Sequence, residues 1–255
     1  MWQHSNIIFV VAIFITVVWT PVKSFTTCPS FTTNAISSSP LPSSSILFSS
    51  ESNAIISDAK LQIEESIANT DRGRSINDMQ RAEVHKLLSY LESLCPLSEP
   101  GRDPRMEGNW IVEYTDAPPP SNGQLLFKGI AKQVIDLQSK TYRNELYVGG
   151  SGIDQDENAW LSAILDARWE EWDGVYLDES GSVSDETDVG GSTWKVDFES
   201  ITLSLFQRPL FTQQFKVGTS RTWRMSYLDD DTRIVRAGKT GRGEDDWIFY
   251  MRRGA

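Results

Sequence analysis

The chain has 255 residues and a formal net charge of −11 at pH 7. Residues 1–50 hold one lysine and no acidic residue, so residues 51–255 carry 23 basic against 35 acidic side chains, a net charge of −12. An acidic surface repels phosphates, which argues against nucleic acid as a partner and against electrostatic docking on anionic membranes. Cys95 and His85 are the only cysteine and histidine beyond residue 50. We therefore expect no disulfide framework, no metal site and no cofactor.

Residues 1–24 have the organisation of a signal peptide. Residues 7–18 are apolar except for Thr16, and this run is too short to span a bilayer comfortably. Val22 and Ser24 then supply small side chains at the two positions that a signal peptidase reads. The pattern predicts cleavage after Ser24, with Phe25 as the first residue of the mature chain.

Residues 25–50 form a different kind of segment. Half of these 26 residues are Ser or Thr, three are Pro and none is acidic. This composition is typical of a transit peptide, and we expect a transit-like, disordered segment, although the expected basic residues are missing. Ordinary secretion and a retained membrane anchor are the alternatives.

Residues 55–97 are predicted to form two helices. Ala59, Ile63 and Ile67 recur every four residues, and Gly73 is suited to the left-handed turn that follows. Asn77 and Gln80 match the capping pattern of a second helix. The apolar stripe of that helix consists of Val84, Leu87, Leu88, Leu91 and Leu94. Such a stripe indicates a core helix rather than a lipid-surface helix, because the opposite face is mixed and not basic.

Residues 105–255 are predicted to be strands separated by turns. The run G-N-W-I-V-E-Y-T from residue 108 begins the first strand, and alternation over residues 161–169 predicts a long strand with one buried face. Residues 178–192 are acidic and rich in Ser and Gly, which predicts a solvated insertion. The buried parity changes between Phe198 and Ile201, which predicts a bulge near Glu199. Strands without intervening helices favour a closed antiparallel barrel.

Residues 222–238, T-W-R-M-S-Y-L-D-D-D-T-R-I-V-R-A-G, are predicted to form a hairpin. Trp223, Met225 and Tyr227 alternate with Arg224 and Ser226, which is the period of a strand with one buried face. The three aspartates at residues 229–231 favour a tight turn. Adjacent carboxylates can also raise one another's pKa, so a carboxylate-dependent enzyme stays open as a further hypothesis, although we expect no enzyme.

These motifs together resemble the plastid lipid-associated protein family, also called plastid fibrillins. The residues that carry the resemblance are Gly73, Gly108, Trp110, Gln133, Asp136, Phe198, Tyr227, Leu228, Asp229, Asp231, Arg233 and Arg236. The resemblance implies a mainly β fold, namely a closed antiparallel lipocalin-like β-barrel that is preceded by two N-terminal α-helices and forms one domain with them. It also implies an arginine from the last strand over Trp110, for which Arg252 is the candidate.

A barrel of about eight strands has room for one apolar ligand. The candidate inward, ligand-binding residues are Trp110, Tyr114, Ile135, Phe198, Leu203, Trp223, Tyr227 and Ile234. They would suit a hydrophobic small molecule such as a prenylquinone, a carotenoid or an acyl lipid. The resemblance implies storage or delivery of such metabolites, with peripheral association at plastoglobules or thylakoids. A non-catalytic partner of a lipid- or quinone-synthesising enzyme is the alternative.

The resemblance also bears on location. A signal peptide that is followed by Phe25 and a transit-like tract is similar to the bipartite plastid presequence of algae with secondary plastids. We therefore expect the protein in the plastid (chloroplast).

Overall fold

The computed structural model describes residues 50–124, 127–149, 159–172, 191–241 and 245–254. The predicted signal peptide and residues 25–49 of the transit-like segment lie outside the described residues, as do residues 178–190 of the predicted insertion. Residues from Ile56 to Ala255 form one compact unit, and only the end of the preceding unit, residues 50–55, is described.

In the part of the chain that the structure describes, two helices precede the strands, as predicted. They are α1, Ser50–Ile67, and α2, Asp78–Ser93. α1 begins at Ser50, five residues before the predicted helical part, residues 55–97. The predicted capping box of α2 is present, because the Gln80 amide donates to Asn77 Oδ1 at 2.9 Å and the Asn77 amide donates to Gln80 Oε1 at 3.2 Å. Neither described helix is long and apolar enough to span a lipid bilayer.

Within the described ranges, nine strands follow two short 3₁₀ turns, Pro100–Arg102 and Pro104–Met106. The strands are β1 Gly108–Thr115, β2 Gly129–Asp136, β3 Thr141–Val148, β4 Leu161–Glu171, β5 Thr193–Leu205, β6 Arg208–Gln214, β7 Ser220–Leu228, β8 Thr232–Lys239 and β9 Asp245–Arg253. The predicted bulge in β5 is confirmed. Asp166 of β4 pairs with Ser200 and Ala167 pairs with Phe198, so Glu199 is the extra residue.

The strands form one antiparallel sheet whose ends meet in a ring. The order is β4-β3-β2-β1-β9-β8-β7-β5, and a further pairing of β4 with β5 connects the two ends. β6 stands outside this ring and pairs with β5. The neighbour of β5 changes along its length, because residues 193–197 pair with β7 and residues 200–205 pair with β6. The hairpin of β5 and β6 therefore continues beyond the pairing with β7.

Two buried clusters lie on opposite faces of the ring. The inner cluster draws side chains from all eight ring strands, including Trp110, Tyr142, Trp194, Trp223 and Phe249. The second cluster joins both helices to β1, β7, β8 and β9, so the helices pack on the outer face of these four strands. Burying one large aliphatic side chain stabilises a fold by about 1.5–3 kcal/mol, and the apolar stripes of both helices are used in this way.

Candidate functional site

Four of the eight predicted ligand-binding residues lie at the inner cluster. Trp110, Ile135 and Trp223 belong to it and Phe198 packs against it. The Tyr142 and Trp223 rings meet edge to face with centroids 4.4 Å apart. The interior is therefore lined by aromatic rings from separate strands, several of which touch one another.

The expectation that all eight residues face one interior is wrong for three of them. Tyr114, Tyr227 and Ile234 lie in the outer cluster, where they pack with the helices. The register shifts between Val112 and Tyr114 in β1, and again between Met225 and Tyr227 in β7. Each bulge turns the following tyrosine to the other face. In β8 the inner face takes the opposite parity from Ile234.

Leu203, the eighth predicted residue, is buried on β5. It stands between Ala163 of β4 and Phe211 of β6. It therefore lies at the level where β6 joins the sheet. The ligand-binding role of all eight residues stays a prediction.

Two arginines lie over the ring of Trp110, and neither of them is Arg252. The guanidinium of Arg253 lies 4.3 Å from the Trp110 ring centroid and that of Arg233 lies 5.0 Å from it. Arg253 also donates to the backbone oxygens of Glu107, at 2.9 Å, and Arg105. Arg252 is the wrong candidate because successive strand residues face opposite sides, and its side chain bonds Glu64 of α1 on the outer face.

Arg233 is the most unusual group of the interior. Its side chain is fully buried, and burial lowers its pKa to about 9. One terminal nitrogen, Nη2, donates to Gln133 Oε1 and contacts Met251 Sδ at 3.1 Å. Nε and Nη1 are buried without a hydrogen-bond partner in the described part of the chain. Because a strand arginine is normally solvent-exposed, the pattern of residues alone does not indicate this position.

The hairpin of β5 and β6 presents an exposed apolar surface. Phe206, Leu210 and Phe211 are exposed by 69%, 47% and 39%. The Phe206 amide donates to the Trp160 carbonyl at 2.7 Å, and the Trp160 ring lies 5.2 Å from the ring of Phe127, which is also exposed. We call Phe206, Leu210 and Phe211 the hairpin patch. Sequence reasoning missed it, although the absence of Asp and Glu from residues 200–220 was a visible signal.

An open cavity of about 590 Å³ lies beside α1 on the outer face. Its lining combines basic and acidic side chains in equal number with a few apolar ones. The lining residues are Glu64, Ile67, Ala68, Asp71, Arg72, Glu113, Lys128, Asp231, Tyr250, Arg252 and Arg253. Several of these charges are already paired with each other, as Arg252 is with Glu64 and Asp231. This cavity is polar and does not suit a purely apolar ligand.

Comparison with known proteins agrees with the resemblance. The sequence model of the PAP_fibrillin family matches residues 57–159, which include most of α1, all of α2 and β1 to β3. This part of the chain belongs to the fibrillin family. Fibrillins are plastid lipid-associated proteins whose roles are generally structural rather than catalytic. A search of the curated proteins found no match.

Three fibrillin-motif residues shape turns. Gly73 has φ +88°, and a Cβ atom there would lie 2.5 Å from the Thr115 carbonyl oxygen. Gly108 has φ +104° at the start of β1. Asp136 accepts from the Ser139 amide at 2.8 Å in the turn from β2 to β3, and this bond lowers the pKa of Asp136.

Other fibrillin-motif residues join strands and helices. Leu228 belongs to the inner cluster, Gln133 bonds Arg233 there, and Arg236 pairs with Glu92 of α2. The positions of Trp110, Phe198 and Tyr227 are described above.

The acidic turn of the fibrillin motif has structural partners. Asp229 Oδ1 accepts from the amides of Asp231 and Thr232, and its Oδ2 accepts from the Tyr227 hydroxyl at 2.5 Å. Lys60 of α1 lies 2.6 Å from both Asp229 and Asp231. These contacts assign the two carboxylates to the turn and to the docking of α1, which does not favour the carboxylate-enzyme hypothesis.

Proposed function

We propose that this chain is a non-catalytic, peripheral lipid-associated protein of the plastid. In this proposal it docks on the lipid surface of a plastoglobule or thylakoid and stores or delivers a hydrophobic metabolite there. The observation that carries the proposal is the hairpin patch, an exposed apolar surface on a segment that bears no acidic side chain. The fibrillin-family match supports the lipid-associated role.

The distribution of charge along the chain favours docking through the hairpin patch. Residues 200–220 carry Arg208 and Lys216 and no acidic residue, whereas the chain as a whole has a net charge of −11. Anionic lipid head groups attract nearby basic side chains by about 1 kcal/mol each. Insertion of the exposed rings adds about 25 cal/mol for each Å² that leaves water. The acidic remainder of the surface is repelled, so the hairpin is the part of the chain that faces the lipid.

The test is flotation of the purified chain with vesicles that contain a fifth of anionic lipid. The variant F206S/L210S/F211S should lose at least tenfold in vesicle binding. The matched control L61S/M79S/Y90S removes three exposed apolar side chains from the helices and should bind as the native chain does. Equal binding by the native chain and the hairpin variant would refute docking through the hairpin patch.

A second measurement addresses storage or delivery. The aromatic interior favours a hydrophobic cargo such as a prenylquinone, a carotenoid or an acyl lipid. Organic extraction of the purified chain, followed by mass spectrometry, should yield one such lipid in stoichiometric amount. An empty chain that co-purifies with a lipid- or quinone-synthesising enzyme would instead support the role of enzyme partner.

A further inference from the structure

Among the residues that the structure describes, the interior of the ring contains a positive charge without a matching negative charge. Arg233 is fully buried, and burial lowers its pKa only to about 9, so the guanidinium stays protonated at neutral pH. Within the described residues, no carboxylate forms an ion pair with it. Arg253 is a second positive charge nearby and repels it. Tyr142 also lies near it but is neutral, because burial raises the pKa of its hydroxyl. A buried charge is costly unless it is paired and hydrogen-bonded.

The contacts that Arg233 makes satisfy only some of the hydrogen-bond donors of its guanidinium. The Trp110 ring at 5.0 Å gives a cation–π contact, and Nη2 donates to Gln133. Nε and Nη1 keep protons that no described acceptor receives. Arg236, three residues along the same strand, instead has both oxygens of the Glu92 carboxylate as partners on the outer face. Among the described residues, Arg233 therefore lacks a carboxylate partner such as the one that Arg236 has.

An apolar path leads away from Arg233. Gln133, which bonds Arg233, pairs in register with Asn144, and the Tyr142 hydroxyl donates to Asn144 Oδ1. The Tyr142 ring meets Trp223 with centroids 4.4 Å apart, and the Trp223 and Phe249 rings are 6.4 Å apart. Unpaired cationic nitrogens at one end and a row of aromatic rings leading from them match an amphiphile with an anionic end. A carboxylate provides both the negative charge and the acceptor oxygens.

We propose that the ring interior binds a hydrophobic carboxylic acid, such as a long-chain fatty acid, with its carboxylate accepting from Arg233 Nη1. This inference deepens the proposed lipid-associated function and rests on it. The hydrocarbon tail lies along Tyr142, Trp223 and Phe249 and replaces part of their contact with one another. Binding therefore changes the fluorescence of the buried tryptophans.

The experiment titrates the full chain with cis-parinaric acid and with its methyl ester, which has the same tail and no charge. The native chain should bind the acid at least tenfold more tightly than the ester. R233M should bind the two equally, and R233K should keep part of the preference. The control R208M/K216M removes the exposed basic side chains of the hairpin and should keep the full preference.

Two results would overturn the proposal. One is equal affinity of the native chain for acid and ester, or no binding of either, and this comparison decides even if R233M does not fold. The other is a preference for the acid that survives in folded R233M or disappears in R208M/K216M. The vesicle assay of the hairpin variant is independent of Arg233. Loss of the acid preference with intact vesicle binding therefore refutes this inference alone.

Discussion

Arg236 of β8 and Glu92 of α2 form a two-pronged ion pair across the outer cluster. Arg236 Nε donates to Glu92 Oε1 and Nη2 donates to Oε2, both at 2.7 Å. Both side chains are largely buried. The pair joins the second helix to a strand whose inner face carries Arg233, so the two arginines of one strand serve opposite faces of the ring.

Replacing Arg236 by Lys should destabilise the fold by about 1–3 kcal/mol, because an ammonium keeps the charge but cannot donate to both oxygens in one plane. Urea unfolding of R236K, E92Q and the double variant measures the coupling between the two side chains. The exposed pair Glu83–Lys86, 3.9 Å apart, is the control and should couple by less than about 0.5 kcal/mol. Additive effects of R236K and E92Q would contradict the prediction.

Arg253 and Arg252 give a second comparison, since they are neighbours on β9 with different roles. R253K should cost about 1.5–3 kcal/mol, because Arg253 covers Trp110 and donates to three backbone oxygens, those of Arg105, Glu107 and Asp230. R252K should cost less than about 1 kcal/mol, because its partners Glu64 and Asp231 are partly exposed. Thermal unfolding of both variants checks the order, and a larger loss in R252K would refute it.

The fold could be predicted wherever burial was one-sided. The alternation in β4 and the change of parity at Glu199 identified a long strand and its partner's bulge, because the apolar residues there mark a single buried face. The capping pair of α2 is equally local. Local patterns are reliable here because the side chains that decide them are close together in the sequence.

The site could be predicted only in part, because the helices cover the outer face of four strands. In β8 and β9 both faces are buried, so alternation no longer distinguishes inside from outside. Tyr114 and Tyr227 could be buried on either face of the sheet. The bulges before them cannot be recognised from the residue pattern. The burial of Arg233 depends on the pairing of strands distant in sequence.

Gly73→Ala tests why the turn between the helices and β1 needs glycine. The substitution adds strain at φ +88° and a contact of 2.5 Å with the Thr115 carbonyl oxygen. Gly218→Ala is the matched control, because Gly218 has φ +84° but no described atom within 4 Å of its added Cβ. G218A should cost about 1–2 kcal/mol and G73A clearly more. Equal losses in chemical unfolding would show that the close approach to β1 is unimportant.

The lowered pKa of Asp103 makes the stability of the fold depend on pH. The hydrogen bond from the Arg105 side chain lowers the pKa of Asp103, outweighing the opposite effect of burial. A carboxylate whose pKa is lower in the folded state stabilises the fold at pH values above its pKa in the unfolded chain, 3.8. This stabilisation is lost as the pH falls through the folded pKa.

The variant D103N keeps the acceptor for the Arg105 amide but removes the charge. The native chain should therefore be more stable than D103N at pH 6, and the difference in unfolding free energy should decline below pH 3.8. A difference that is the same at pH 6 and at pH 2.5 in urea titrations would rule out the charge as its cause.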